Sequence, residues 1–144
     1  MSAIKNIKKG IITNISAISS INKVYGYEKL NVDGFPAVCV TFLGTDNNFH
    51  TNAENERTYS YRLLVLAQIG QDVGNGNIVE EAEEIIQDVT GDILDTMDSD
   101  ITLDENSQVI YVEAAVGEPG YVEYEGGTAR SSEIIIKVHS IYLV

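Results

Sequence analysis

The stretch Arg57-Thr58-Tyr59-Ser60-Tyr61-Arg62-Leu63-Leu64-Val65-Leu66-Ala67-Gln68-Ile69 decides the fold. Tyr59, Tyr61, Leu63, Val65, Ala67 and Ile69 alternate with Thr58, Ser60, Arg62, Leu64, Leu66 and Gln68, the period-two pattern of a β-strand. Leu64 and Leu66 make both faces of its second half apolar, which predicts a central strand covered on both sides.

Working upstream, Gly44 to Glu56 is polar and rich in turn formers, so it reads as the long loop of a hairpin. Before it, Pro36 to Leu43 is expected as the first strand, with Val38, Val40 and Phe42 on one face and Ala37, Cys39 and Thr41 on the other. Asn31-Val32-Asp33-Gly34 is a turn leading into it. Ile4, Ile7, Ile11, Ile15 and Ile18 recur at spacings of three and four, placing them on one stripe of a helix from about Ser2 to Ile21. Its lysines follow the opposite face.

Working downstream, Gly70 to Gly76 breaks the pattern, and Asn77 followed by Glu80 resembles a capping box for a second helix running to Met97. Ile78, Ala82, Ile85, Ile86, Val89, Ile93, Leu94 and Met97 form its apolar stripe, and Glu80, Glu81, Glu83 and Glu84 crowd its first turns, where the helix dipole favours anions. Strands are expected at Val109 to Val116, Tyr121 to Tyr124 and Glu133 to Leu143, divided by the turns Gly117 to Gly120 and Gly126-Gly127. The order predicts an α+β fold: a single domain over residues 1–144, with a largely antiparallel sheet of about five strands and two helices packed against it.

The net charge of −13 is unevenly spread. Residues 1–30 hold five lysines (5, 8, 9, 23 and 29) against Glu28, whereas residues 71–125 hold 16 acids and neither Lys nor Arg. So acidic a surface repels phosphate and argues against tight nucleic-acid binding, which works by replacing counterions with Lys and Arg. It suits either a solvated face, or a field facing DNA that must slide past or meeting a basic partner surface. No run approaches a membrane span, and MSAIKNIKKG lacks a secretory pattern, so the chain is expected to be soluble and made in a cytoplasm. Asn14-Ile15-Ser16 matches a glycosylation acceptor by pattern only.

Catalytic and metal chemistry find little support. Cys39, the one cysteine, lies in an apolar run and reads as a buried, inert thiol. His50 and His139 share no zinc-ligand spacing with it. Asp95, Asp98, Asp100, Asp104 and Glu105 lack the glycine and the twelfth-position Glu of a calcium loop. Gly70, Gly74 and Gly76 precede four glutamates and no Lys, the wrong electrostatics for a phosphate loop. No catalytic residue, cofactor or metal is therefore assigned.

Two segments carry a resemblance. Thr51-Asn52-Ala53-Glu54-Asn55-Glu56-Arg57-Thr58-Tyr59, leading into the alternating strand, resembles the ENER-type stretch before a strand in tail terminator (tail completion, head–tail joining) proteins of long-tailed bacteriophages. The helix from Val79 to Met97, the D-x-x-x-T-L run from Asp98 to Leu103, the strand from Val109 to Val116, the turn from Gly117 to Tyr121 and the closing Ile/Val strand are similar to that family in order and spacing. The resemblance spans most of the chain, and it is the ordered combination that carries it.

The resemblance implies a non-enzymatic virion protein. Such a protein forms a ring, a homohexamer, at the head-proximal end of the tail, where it stops tube polymerisation and offers a docking surface to the head. The implied partners are further copies of itself, the tail tube protein and a connector or neck protein, with DNA passing through without specific binding and no membrane involved. The lysine face (Lys5, Lys8 and Lys9) is expected to meet the acidic 71–125 face of the next subunit. Glu54, Glu56, Arg57 and Arg130 lie beside the loops expected to touch tube or connector. The alternatives are another neck or head-completion connector, a small ligand-binding or regulatory module with a concave apolar pocket, and, third, an enzyme.

Overall fold

In a computed structural model the chain is described at residues 3–28, 32, 34–49, 54–70, 76–99, 109–124 and 127–143. The elements are helix α1 (Ala3–Ser16), strands β1 (Lys23–Tyr25), β2 (Ala37–Phe49) and β3 (Glu54–Gly70), helix α2 (Gly76–Ser99), and strands β4 (Val109–Tyr124) and β5 (Gly127–Leu143). They form one five-stranded sheet in the order β1-β2-β3-β5-β4, antiparallel throughout except that β1 runs parallel to β2. This is an α+β fold, and β3 is central, flanked by β2 and β5.

Both helices lie on one face of the sheet, α1 over β1 and β2 and α2 over β3, β4 and β5. Ile7, Ile11 and Ile15 of α1 and Ala82, Ile86, Val89, Ile93 and Met97 of α2 bury their stripes against Val38, Val40, Tyr59, Tyr61, Leu63, Val65, Ile134, Ile136 and Val138. Burial is what holds α1 together, since its β-branched residues give it little intrinsic helicity. The Tyr61 hydroxyl donates to the Ile4 carbonyl at 2.6 Å, fastening the start of α1 to the central strand.

The opposite face carries a smaller core of Val32, Ala37, Cys39, Leu66 and Ala129, packed against Tyr25, Phe35, Leu64 and Val122. Parallel neighbours require a crossover connection, and Val32 and Phe35, from the stretch between β1 and β2, lie on this face. That coverage confirms the two-sided burial expected of β3, with Leu66 at 4% exposure. Cys39 is a buried thiol within it.

Several expected boundaries are corrected. The first helix ends at Ser16 rather than near Ile21, giving way to tight turns in which the Ala17 and Ile18 amides bond to the Asn14 and Ile15 carbonyls at 3.4 and 3.1 Å. Ile18 and Ile21 still face the core, so the apolar stripe outlasts the helix. The strand β1 was not expected; the Asn22 and Lys23 amides both donate to the Pro36 carbonyl, at 2.8 and 3.3 Å, and set its register. The supposed Gly44–Glu56 loop is largely strand, because β2 and β3 stay paired out to Phe49 and Asn55 with Leu43 bulged out. The presumed strands Val109–Val116 and Tyr121–Tyr124 are one strand, and the turn between them is a bulge in which Gly117 and Glu118 oppose Glu133 alone. The last strand begins at Gly127, not Glu133.

Strand β3 outreaches the helices. Its 17 residues span about 56 Å, against about 36 Å for the 24 residues of α2. Tyr59 is the first β3 residue in the main core, so the outer end of β3, paired with β2 on one side and with β5 on the other, projects past the helical layer. Thr45 and Asp46 are exposed there.

Candidate interaction surfaces

The sheet order sets β1 and β4 at opposite edges, four strand spacings or about 19 Å apart. Charge follows this geometry. The β1 edge bears exposed Lys23, with exposed Lys5 and Lys9 on α1 above it. The β4 side bears exposed Glu113, Glu118 and Glu123, with Glu80, Glu81, Glu84, Asp88, Asp92, Asp95 and Asp98 exposed along α2. The β1 and β4 edges thus differ in charge, while the basic N-terminal segment and the acidic 71–125 segment meet at the end of α1, where the Ser20 hydroxyl donates to Asp92 Oδ2 at 2.7 Å.

Lys8 differs from its neighbours. It is half-buried, and its ammonium donates to the Gly26 carbonyl, pinning α1 to the end of β1. Lys5 and Lys9 are the lysines of this helix that present themselves to solvent.

Arg130 is also turned inward, with its side chain 12% exposed. Its Nε donates to Glu83 Oε2 at 2.7 Å, its Nη1 donates to the Gly120 carbonyl at 2.9 Å and to the Ser131 carbonyl, and the guanidinium carbon sits 5.4 Å from the centroid of the Tyr121 ring. The hydrogen bond from Arg130 holds the Glu83 carboxyl below the usual glutamate range. The guanidinium therefore brackets α2 to the β4–β5 hairpin, while the Tyr121 ring remains 62% exposed. Arg57 stands on the projecting part of β3, its Nη1 donating to the Tyr59 hydroxyl at 3.3 Å. Glu54 pairs through its backbone with Leu143, and its side chain lies outside the described residues.

Glu56 belongs to a cluster that sequence reasoning missed. His139 of β5 is stacked on Tyr111 of β4, with centroids 4.2 Å apart and planes 15° from parallel. Its Nδ1 lies 3.2 Å from Thr58 Oγ1 and 3.5 Å from Glu56 Oε1, and its Nε2 lies 3.3 Å from Glu113 Oε2. The carboxylates address different ring nitrogens, so they clamp the imidazole between β3 and β4 rather than converging on a common point. The signal lay in the pairing register, which opposes Thr58 and Tyr111 to His139 from either side. Among the described residues, no three His, Cys, Asp or Glu side chains are grouped to hold a metal ion.

A second unanticipated network joins Arg62 to Glu28 and Glu133, each at 2.7 Å. It ties Glu28, just past β1, to the sheet. Gly117 makes room for it, since a Cβ there would collide with the Glu133 carboxylate.

One open groove, about 360 Å³, lies between the end of α1 and the last turns of α2, lined by Asn14, Ala17, Ile18, Ser19, Asp92, Asp95 and Thr96. Five of these seven residues are polar or acidic, unlike the lining of an apolar ligand pocket. Among the described residues no helix is long and apolar enough to cross a membrane. His50, Asp100, Asp104, Glu105 and the 71–75 part of the glycine-rich connector lie outside the described residues. No protein-family model matches the sequence, and no curated protein matches it.

Proposed function

We propose that this chain is a structural virion protein of the tail terminator type. It closes into a homohexameric ring at the head-proximal end of the tail tube, stops tube growth and offers the docking surface for the head. It carries no catalytic site and no cofactor, works in the finished virion, and assembles in the host cytoplasm.

The observation that carries this reading is the opposition of charge across the sheet, with Lys23, Lys5 and Lys9 at one edge and Glu113, Glu118 and Glu123 at the other. Two complementary but different surfaces on one chain favour head-to-tail association, which ends in a ring when the rotation closes. The ordered resemblance to tail terminators gives that ring its place. The acidic surface suits a lumen through which DNA passes without sticking. The projecting end of β2, β3 and β5, with Arg57 near its base, is the element for contact with tube or connector.

The test is tube polymerisation. Tail tube protein of the same phage is induced to polymerise with and without this chain, and tube lengths are measured by negative-stain microscopy. Capped tubes that stop growing, with density at one end, are the expected result. Tubes whose length and ends do not respond would overturn the assignment.

A further inference from the structure

Resting on that ring reading and going beyond it, we propose that subunits are joined by backbone pairing between the outer edge of β4 in one copy and the outer edge of β1 in the next, so that one β-sheet runs from subunit to subunit.

Strand β4 is 16 residues long and, among the described residues, pairs with β5 on one side only, so its other side presents a row of backbone donors and acceptors. Exposed edges invite pairing, and proteins that must stay apart blunt them with lysines, prolines and bulges. In β4 the blunting consists of a bulge between Val109 and Tyr111, the bulge at Gly117 and Glu118, and Pro119. The run from Tyr111 to Val116 keeps its register, has no proline and one charge, Glu113, and exposes Tyr111 at 38% and Val116 at 54%. Such a segment is built to be covered by another strand.

Charge selects the occupant. A second β4 would set Glu113, Glu118 and Glu123 against their own copies, with no Lys or Arg anywhere from Val109 to Tyr124 to offset them. The β1 edge offers the opposite sign through Lys23, with Lys9 on the helix above. Because β1 and β4 are the two ends of one sheet, the pairing is head-to-tail, can repeat, and closes on itself only as a ring.

The experiment uses cysteine pairs in the full chain. Lys23→Cys and Val116→Cys are made singly and together at exposed positions, with Cys39 left in place at 1% exposure. Each protein is treated with a short bis-maleimide, run on a denaturing gel, and weighed in parallel by native mass spectrometry. The expected result is a covalent ladder ending at the native ring size from the double variant, and monomer from either single variant. A dimer from Val116→Cys alone would mean that β4 pairs with β4 and would overturn the seam. So would a double variant that forms rings by native mass yet gives no ladder, leaving the ring itself standing. Monomer by native mass from the unsubstituted chain at every concentration, with no ladder from the double variant, would remove ring and seam together.

Discussion

Arg130 Nε stands 2.7 Å from Glu83 Oε2, and this pair ties the first residues of β5 to an early turn of α2. Arg130 is mostly enclosed and Glu83 is 43% exposed, so the two partners are not equivalent. Replacing Arg130 by Met removes the bonds to Glu83 and Gly120 and the cation over Tyr121, and should cost about 1–3 kcal/mol. Replacing Glu83 by Gln should cost under about 1 kcal/mol, because that carboxylate regains water. Thermal melts of the two variants give the order.

The same pair has a pH signature. The Glu83 carboxyl is depressed in the folded chain, so its contribution is present above the ordinary glutamate value of about 4.3 and is lost as pH falls through the lower folded value. Wild type should therefore lose stability on acidification faster than Glu83→Gln below about pH 4.3, with the two running parallel above it. Denaturant midpoints across that range report the difference.

Tyr61→Phe tests how α1 is held. The ring stays in the core and against Phe42, while the bond to the Ile4 carbonyl is lost. The expected cost is about 1 kcal/mol, with faster amide exchange in the first turn of α1. Ile11→Ala, at a fully buried position of the same helix, should cost about 2–5 kcal/mol.

Thr90 Oγ1 and Ser140 Oγ are buried and make no hydrogen bond among the described residues. Such hydroxyls have given up water without replacement. Thr90→Val and Ser140→Ala should each be neutral or stabilising by up to about 1 kcal/mol, read as a rise in unfolding midpoint.

How much of this was legible in the sequence depended on where each residue's surroundings came from. Tyr59 to Ile69 and the stripe from Ile4 to Ile15 write their packing into their own periodicity, because one face of each meets an apolar layer. The outer ends of β2 and β3 have no such layer. Thr45 and Asp46 face water and pair through their backbones, so they look like a loop. The Gly117–Gly120 run looks like a reversal, yet an edge strand tolerates a proline and a bulge while its partner runs on unbroken. The lysines were legible as charge but not as individuals, since only the fold turns Lys8 toward Gly26 and leaves Lys9 in solvent. The His139 cluster depends on register across three strands, which no local pattern encodes.

The central claim is that the chain closes head-to-tail into a ring through oppositely charged edges. It is tested most directly by native mass spectrometry of the purified protein over a concentration series, at low and high salt. The account predicts a closed hexamer that grows with concentration and weakens as salt screens the contact. A species that stays monomeric at every concentration and salt would contradict it.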